Sequence, residues 1–393
     1  MMRPLSAVLV SLSVSVWGTP VSAQQAPQTV ADIVDFLVTN RAVQTGDFER
    51  DRAAAEQARE AISRALLLNL TSVPLASSSS GFLYRLNPML GTMERATQSF
   101  GSFFVERALT AGAGQGSIGI SVFGAAFDRL GDLHLRDGSL ITVANQFRDE
   151  PSPFDIEALT LKVRSTTLTL FGSVGVTDRL EIGATLPLIS LAIEGERVNT
   201  YRGDPFLQAS GQATASGVGD AAVRAKFMIA RTSAASVSAA AEVRLPTGSE
   251  ENLLGAGAAS YRILGIGSLE RGRLTLLGNG GIARGGVSSE VNLAGAAAIA
   301  VRPQVTVSGE LLVRRVSDLE DLSLVSQPHP VIDGVDTMRL LARERGITLA
   351  TAVTGIKWNV NRTFVLAGHV SFPLARRGLT APITPTLALE YAF

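Results

Sequence analysis

The feature that most constrains this chain is a period of two that persists for most of its length. Leu180, Ile182, Ala184, Leu186 and Leu188 alternate with Glu181, Gly183 and Thr185. Ala221, Val223, Ala225, Phe227 and Ile229 alternate with Asp220, Arg224 and Lys226, and Phe364, Leu366, Gly368, Val370 and Phe372 with His369 and Ser371. This spacing puts the two sets on opposite faces of a sheet. Twelve segments carry it: 114–124, 158–175, 180–194, 217–230, 236–245, 256–268, 273–283, 290–301, 305–315, 346–359, 363–374 and 383–393. In 158–175 the alternation changes face near Ser165–Thr167, which predicts a β-bulge.

The connections between these segments sort by parity. Odd-numbered ones span 125–157, 195–216, 246–255, 284–289, 316–345 and 375–382, whereas even-numbered ones span only 176–179, 231–235, 269–272, 302–304 and 360–362. Short turns at one end, long loops at the other and an even strand count are the pattern of a transmembrane barrel. No stretch offers the ~20 apolar residues of a spanning helix, so a membrane could be entered only by strands closed on one another. The fold class expected is therefore an all-β transmembrane, antiparallel up-and-down barrel of about 12 strands over 113–393.

The region before the barrel reads differently. Arg3, the apolar run Leu5–Trp17 and Val21-Ser22-Ala23 predict a signal peptide over 1–23. Ala55, Ala58, Ile62, Leu66 and Leu70 recur at helical spacing and predict one amphipathic helix over Asp47–Leu70. A Ser-rich linker (Thr71–Ser80) and a hairpin around Asn87-Pro88 and Gly91 follow. Residues 24–112 are expected to form a helix-and-hairpin segment, either periplasmic or plugging the lumen.

Composition excludes several chemistries. Lys+Arg and Asp+Glu are each 35, a balance unlike the basic excess of a nucleic-acid binder, and no nucleic-acid partner is expected. The chain has no Cys, which removes disulfides and thiolate metal sites, and only three His (His134, His329, His369). No Gly-x-Ser-x-Gly elbow and no calcium-loop pattern occur, so we expect no enzyme, no catalytic residue, no metal and no cofactor.

Three short runs carry a resemblance: Gly217-Val218-Gly219-Asp220, then Glu242-Val243-Arg244-Leu245-Pro246-Thr247-Gly248, then Asn252-Leu253-Leu254-Gly255-Ala256-Gly257. In this order and spacing the chain resembles the outer-membrane transporter family named for the meta-pathway of phenol degradation, over about 158–393. The resemblance implies an outer-membrane channel in a Gram-negative bacterium for passive uptake or efflux of small, aromatic or apolar solutes. On their own terms the same residues read as backbone-shaping: Pro246 and Gly248 end a strand, and the glycines allow close approach. The last segment, with Leu387, Leu389, Tyr391 and terminal Phe393 on one face, resembles the carboxy-terminal signature that the barrel-assembly machinery reads. Tyr391, Phe393, Trp358 and Phe364 are expected to form an aromatic belt at the short-turn end.

If the less apolar face looks inward, the lumen holds Lys162, Arg164, Asp220, Arg224, Lys226, Glu242, Arg244, Glu310, Arg314, Lys357, His369 and Glu390. Arg224 is expected opposite Glu242, a favourable cross-strand pair. A twelve-stranded barrel lies between filled eight-stranded barrels and open sixteen-stranded porins, so a narrow constriction and a merely filled lumen are both physically sensible. The partners expected are outer-membrane lipid, the assembly machinery and a small solute. The alternative is a structural or adhesin-like barrel that binds something through loops 125–157, 195–216 and 316–345.

Overall fold

The computed structural model describes residues 29–39, 43, 45–71, 84–87, 92–95, 99–361 and 363–393. The expected signal peptide and nearly all of the Ser-rich linker lie outside them. Twelve strands close into an antiparallel barrel: β1 (Gly116–Phe127), β2 (Asp155–Gly175), β3 (Leu180–Tyr201), β4 (two runs, Asp204–Val218 and Ala222–Arg231), β5 (Ala235–Arg244) and β6 (Ser260–Arg271), then β7 (Leu274–Gly285), β8 (Glu290–Arg302), β9 (Val305–Pro328), β10 (Val335–Asn359), β11 (Phe364–Pro373) and β12 (Thr384–Ala392). Each pairs with its neighbours in chain order, and β12 closes on β1 from Thr386↔Phe123 to Ala392↔Ser117. Two strands, Tyr84–Asn87 and Thr92–Arg95, form the separate hairpin expected around Asn87.

The outside of the barrel is apolar at its lower level. Ile118, Leu170, Leu186, Phe227, Leu293 and Leu387 all stand exposed on the outer wall. Exposed leucines and isoleucines on every side of a ring have no water-compatible explanation, and hydrocarbon is the solvent that suits them. Trp358, Phe364, Tyr391 and Phe393 are also exposed, and Phe364, Tyr391 and Phe393 lie ring to ring at 5.0 and 6.2 Å near the short turns.

Above that level the wall changes. The connections 195–216 and 316–345 are mostly not loops. β3 and the first run of β4 continue as a ladder to Tyr201↔Asp204, and β9 and β10 to Pro328↔Asp336. Within 125–157 the strand Leu140–Phe147 pairs with β2 on one side and β10 on the other, so at this height it replaces β11, β12 and β1 in the wall. The tall part is an open sheet wrapped around two helices, α1 (Val30–Val38) and α2 (Phe48–Thr71).

The helix α2 matches the helical spacing, with Ala58, Ile62, Leu66 and Leu70 buried, and the Asp47 side chain accepts from the Arg50 N–H at its start. α1 was not anticipated. It is opened by a capping box in which the Thr29 hydroxyl accepts from the Asp32 N–H and the Asp32 carboxylate from the Thr29 N–H. Both helices pack on the inward face of the tall sheet, α1 on β3 and β4 and α2 on β9 and β10. At Gly195 the approach is so close that a Cβ would lie 2.5 Å from the Leu37 Cδ1.

The strand β2 corrects the expected bulge. Its burial alternates without a break from Asp155 to Gly175 and its register with β3 is continuous, so no face switch occurs at 165–167. Leu159, Leu161 and Val163 point inward onto the helices, whereas Leu168, Leu170 and Val174 point outward on the same strand. The backbone keeps its faces and the surroundings exchange. The apolar residues therefore change parity even though the strand does not.

Candidate functional site

The lumen at membrane level is crossed by the chain's own residues 99–112. From Ser99 this segment reaches side chains on β3 to β7 and on β9 to β11, which a single stretch can do only from inside the ring. Glu310 on β9 is its principal anchor: the carboxylate accepts from the N–H groups of Phe103 (2.5 Å), Phe104 (2.9 Å) and Val105 (3.0 Å). Hydrogen bonds to a charged group contribute about 1.5–3 kcal/mol each, so three converging on one carboxylate fix the local backbone. Lys357 on β10 donates to the Ser102 carbonyl at 2.5 Å and sits 4.9 Å from the Phe103 ring centre.

Lower down, Glu106 forms a bidentate ion pair with Arg224 on β4. Arg107 donates to the Ser99 carbonyl and hydroxyl at 2.9 Å and lies 3.5 Å from Glu270. The Ala111 N–H donates to Glu181 and the Thr110 hydroxyl to the Asp178 carbonyl, which brings the segment to the short-turn rim.

The sequence-predicted lumen residues fall into two groups. Asp220, Arg224, Lys226, Glu242, Arg244, Glu310, Arg314, Lys357, His369 and Glu390 all face inward. Most hold a partner there: Lys226 with Glu181 (3.2 Å), Glu242 with Arg244 (3.0 Å) and Arg262 (3.6 Å), and Arg314 with Glu290 (2.6 Å). Lys162 and Arg164 do not belong to this set. They lie on the outer face of β2, where Lys162 pairs with Glu194 at 2.8 Å. They sit above the apolar band, where the outer wall is polar and the inner one is covered by helix. Their assignment to the lumen followed from extending the membrane-level rule past the height at which it applies.

Arg224 and Glu242 are directly opposite in register, as expected. Arg224 nevertheless pairs with Glu106, because the crossing segment brings a carboxylate between the strands, and Glu242 is taken by two other arginines. Sequence reasoning missed Glu106 and Arg107, since a short irregular stretch has no periodicity to say which side chains face what. It also missed Arg197, whose guanidinium is 3.0 Å from Glu157 and donates to the carbonyls of Phe36, Leu37 and Thr39 at the end of α1. These carbonyls lack intrahelical partners, and the cation favours the helix C-terminus.

The three Gly-rich runs converge on one knot at the top of the lumen. Asp220 accepts from the Gly248 N–H (3.1 Å) and the Ala256 N–H (2.8 Å), while the Thr247 hydroxyl donates to the Gly219 carbonyl (2.6 Å) and accepts from the Ala221 N–H (2.9 Å). A Cβ on Gly255 would meet the Gly248 Cα at 2.6 Å, so two backbones touch where only glycine fits. The pattern is a fold device: it seats the 245–259 connection over the barrel, and Leu253 and Leu254 enter the helix-packing core.

Between the end of α2 (Asn69, Leu70, Thr71) and Phe104 lies a chamber of ≈ 210 Å³, continuous with solvent. His369, Phe123, Thr167, Arg244 and Arg314 contribute to its walls. Of the other histidines, His329 accepts from the Val331 and Ile332 N–H groups at 3.1 and 3.0 Å, and His134 lies 3.9 Å from Asp137. Among the described residues no cluster of three or more His, Asp or Glu is placed to hold a metal.

No protein-family model matches the chain, and no curated protein matches it by sequence. Solved structures do resemble it in shape. An outer membrane channel from Pseudomonas putida F1 superposes with a TM-score of 0.47 at 12% identity, covering 73% of this chain and 98% of that one. The KdgM porin gives 0.38 at 9% identity over 70% of this chain and 99% of that one. The NanC porin gives 0.34 at 6% identity over 70% and 98%.

Proposed function

We propose that the chain is an outer-membrane channel for small solutes, resident in a Gram-negative bacterium, whose lumen is narrowed by its own residues 99–112. The observation that carries this reading is the sidedness of the ring at one height: apolar side chains outside, ion pairs and hydroxyls with unfilled space inside. That is the arrangement of a water-accessible path through hydrocarbon. Its partners in this reading are outer-membrane lipid and, through the outward row Leu387, Leu389 and Tyr391 next to Phe393, the barrel-assembly machinery. The finer assignment to small aromatic or apolar solutes, moved by passive uptake or efflux, is supported by the resemblance to the phenol meta-pathway transporters. A non-enzymatic role is supported by His369, whose neighbours are the rings of Phe103 (4.3 Å) and Phe104 (5.0 Å) rather than a nucleophile.

The test is reconstitution into planar bilayers and liposomes. The E106A/R224A double variant, which frees the crossing segment from β4, should raise single-channel conductance over the parent, and so should R224A/E242A. The filled lumen favours a second reading, a barrel that binds an external partner through its tall end. Absent conductance and absent liposome swelling in the parent and in both variants would select that reading.

A further inference from the structure

The rim of the ring at the short-turn end divides into two arcs. Over β10 to β12 it carries the exposed aromatic residues Trp358, Phe364, Tyr391 and Phe393. Over β2 to β9 it carries arginines: Arg179 between β2 and β3, Arg231 between β4 and β5, Arg271 and Arg273 between β6 and β7, and Arg302 between β8 and β9. The β10–β11 turn also contains an arginine, Arg362, which lies outside the described residues.

All five described arginines of this arc are exposed, and none makes an ion pair or a side-chain hydrogen bond among the described residues. The acids that flank them, Asp178 beside Arg179 and Glu270 beside Arg271, are turned the other way. Asp178 accepts from the Ala113 N–H at 3.2 Å and Glu270 lies 3.5 Å from Arg107, so both serve the crossing segment inside the ring. Inward cations are treated differently: Lys226, Arg244 and Arg314 each have a carboxylate partner. The outer side of the rim is therefore cationic without an internal counter-charge. Like charges so arranged repel one another until a partner neutralises them.

The neighbours of these arginines decide the partner. Val176, Ile229, Leu269 and Val301 stand exposed on the outer wall within three residues of Arg179, Arg231, Arg271 and Arg302. Hydrocarbon covers such side chains in a membrane, which puts the adjoining guanidinium groups at the depth of that leaflet's phosphates. A soluble acidic partner would have to approach through the headgroups. A guanidinium offers parallel N–H donors that match phosphate oxygens in pairs. A zwitterionic headgroup brings its own cation and leaves the charge of the rim uncancelled, whereas an anionic headgroup cancels it.

We propose that the arginine arc over β2 to β9 is a docking surface for anionic phospholipids of the phosphatidylglycerol type in the leaflet at the short-turn end. The proposal rests on the membrane-embedded barrel of the reading above and not on conduction.

The experiment reconstitutes the protein into phosphatidylcholine bilayers and adds spin-labelled phosphatidylglycerol or spin-labelled phosphatidylcholine as the probe. The motionally restricted part of each spectrum gives the relative association of the two lipids. Phosphatidylglycerol should associate about fivefold more strongly, the scale of one arginine at a charged membrane surface. Raising the salt to about 0.5 M should reduce that ratio. R179Q/R231Q/R271Q/R273Q/R302Q should abolish the preference. R271Q/R273Q, confined to one turn, should lower it in part and decides the matter if the larger variant does not insert. R136Q/R376Q, which removes two exposed arginines from the opposite end, should leave it unchanged. The proposal is overturned by equal association of both probes with the parent, by a preference that survives in every rim variant that inserts, or by one lost equally in R136Q/R376Q. A parent without lipid preference that co-sediments with purified peptidoglycan until R271Q/R273Q is introduced would give the surface to that acidic polymer and overturn the proposal too. Lipid preference in a barrel that neither conducts nor swells liposomes would overturn the channel reading alone; conductance without lipid preference would overturn this one alone.

Discussion

Two heights of the same barrel wall obey opposite rules. At membrane level β2 and β3 turn Leu168, Leu170, Ile182 and Leu186 outward, and Thr167, Thr169 and Glu181 inward. A few residues higher the same strands turn Leu161, Val163, Leu191 and Ile193 inward, and Lys162, Arg164, Glu194 and Glu196 outward. No bulge separates the two. The lesson is that a strand's apolar face follows its solvent. Below, hydrocarbon lies outside and water inside; above, water lies outside and the interior is filled by α1 and α2. The upper half is thus an ordinary packed core, and the lower half an inverted one.

The largest expected effect comes from breaking the tie between the upper wall and its helices. R197A leaves the fully buried Glu157 uncompensated and removes the partner of the α1 carbonyls. A buried charge left unpaired costs about 3–5 kcal/mol. Urea unfolding followed by gel mobility should register this loss, and hydrogen exchange should show α1 opening first.

Cavity formation at the same height comes next. Leu191, with no exposure, lies in the helix-packing core, and L191A should cost about 2–5 kcal/mol. The matching break at membrane level is L293R on the outer face, where Leu293 is 62% exposed. In a bilayer it should cost about 2–4 kcal/mol. If L293R proved harmless in lipid while L191A was severe, the inverted half would not face hydrocarbon.

Sharper than either is labelling along β2. Because the chain has no Cys, single cysteines are clean reporters. K162C and R164C should react with a membrane-impermeant maleimide in intact liposomes, whereas L168C and L170C should be protected. K162L, an exposed outward change, should alter stability by no more than about 0.5 kcal/mol.

The smallest effect is a pH dependence at the start of α1. Hydrogen bonds from the Thr29 hydroxyl and N–H side hold the fully exposed Asp32 carboxyl below its ordinary value of 3.8. The group's stabilising contribution is therefore complete above that value and is lost as pH falls through the lowered one. Amide exchange of α1 should quicken on acidification below about pH 4, and T29A should remove that step.

Much of this was legible from side-chain order. The twelve segments, the short turns and α2 follow from local periodicity, which depends only on strand and helix geometry. So does the register that sets Arg224 against Glu242. The candidate site was less legible. Its anchors Glu310 and Lys357 could be assigned to the inside, but their partners are backbone groups of Ser102–Val105, and a backbone N–H leaves no mark in composition. Likewise Glu106 becomes the partner of Arg224 only because residues 99–112 run through the ring.

What the sequence by itself determined is the ring: alternation and turn spacing are local, and local geometry carries them through to a closed sheet. Tertiary structure alone decided what fills that ring and where the inside becomes dry. Those questions depend on which distant segment occupies a space, and a period of two reports only that the two faces of a strand differ, not which solvent each one meets.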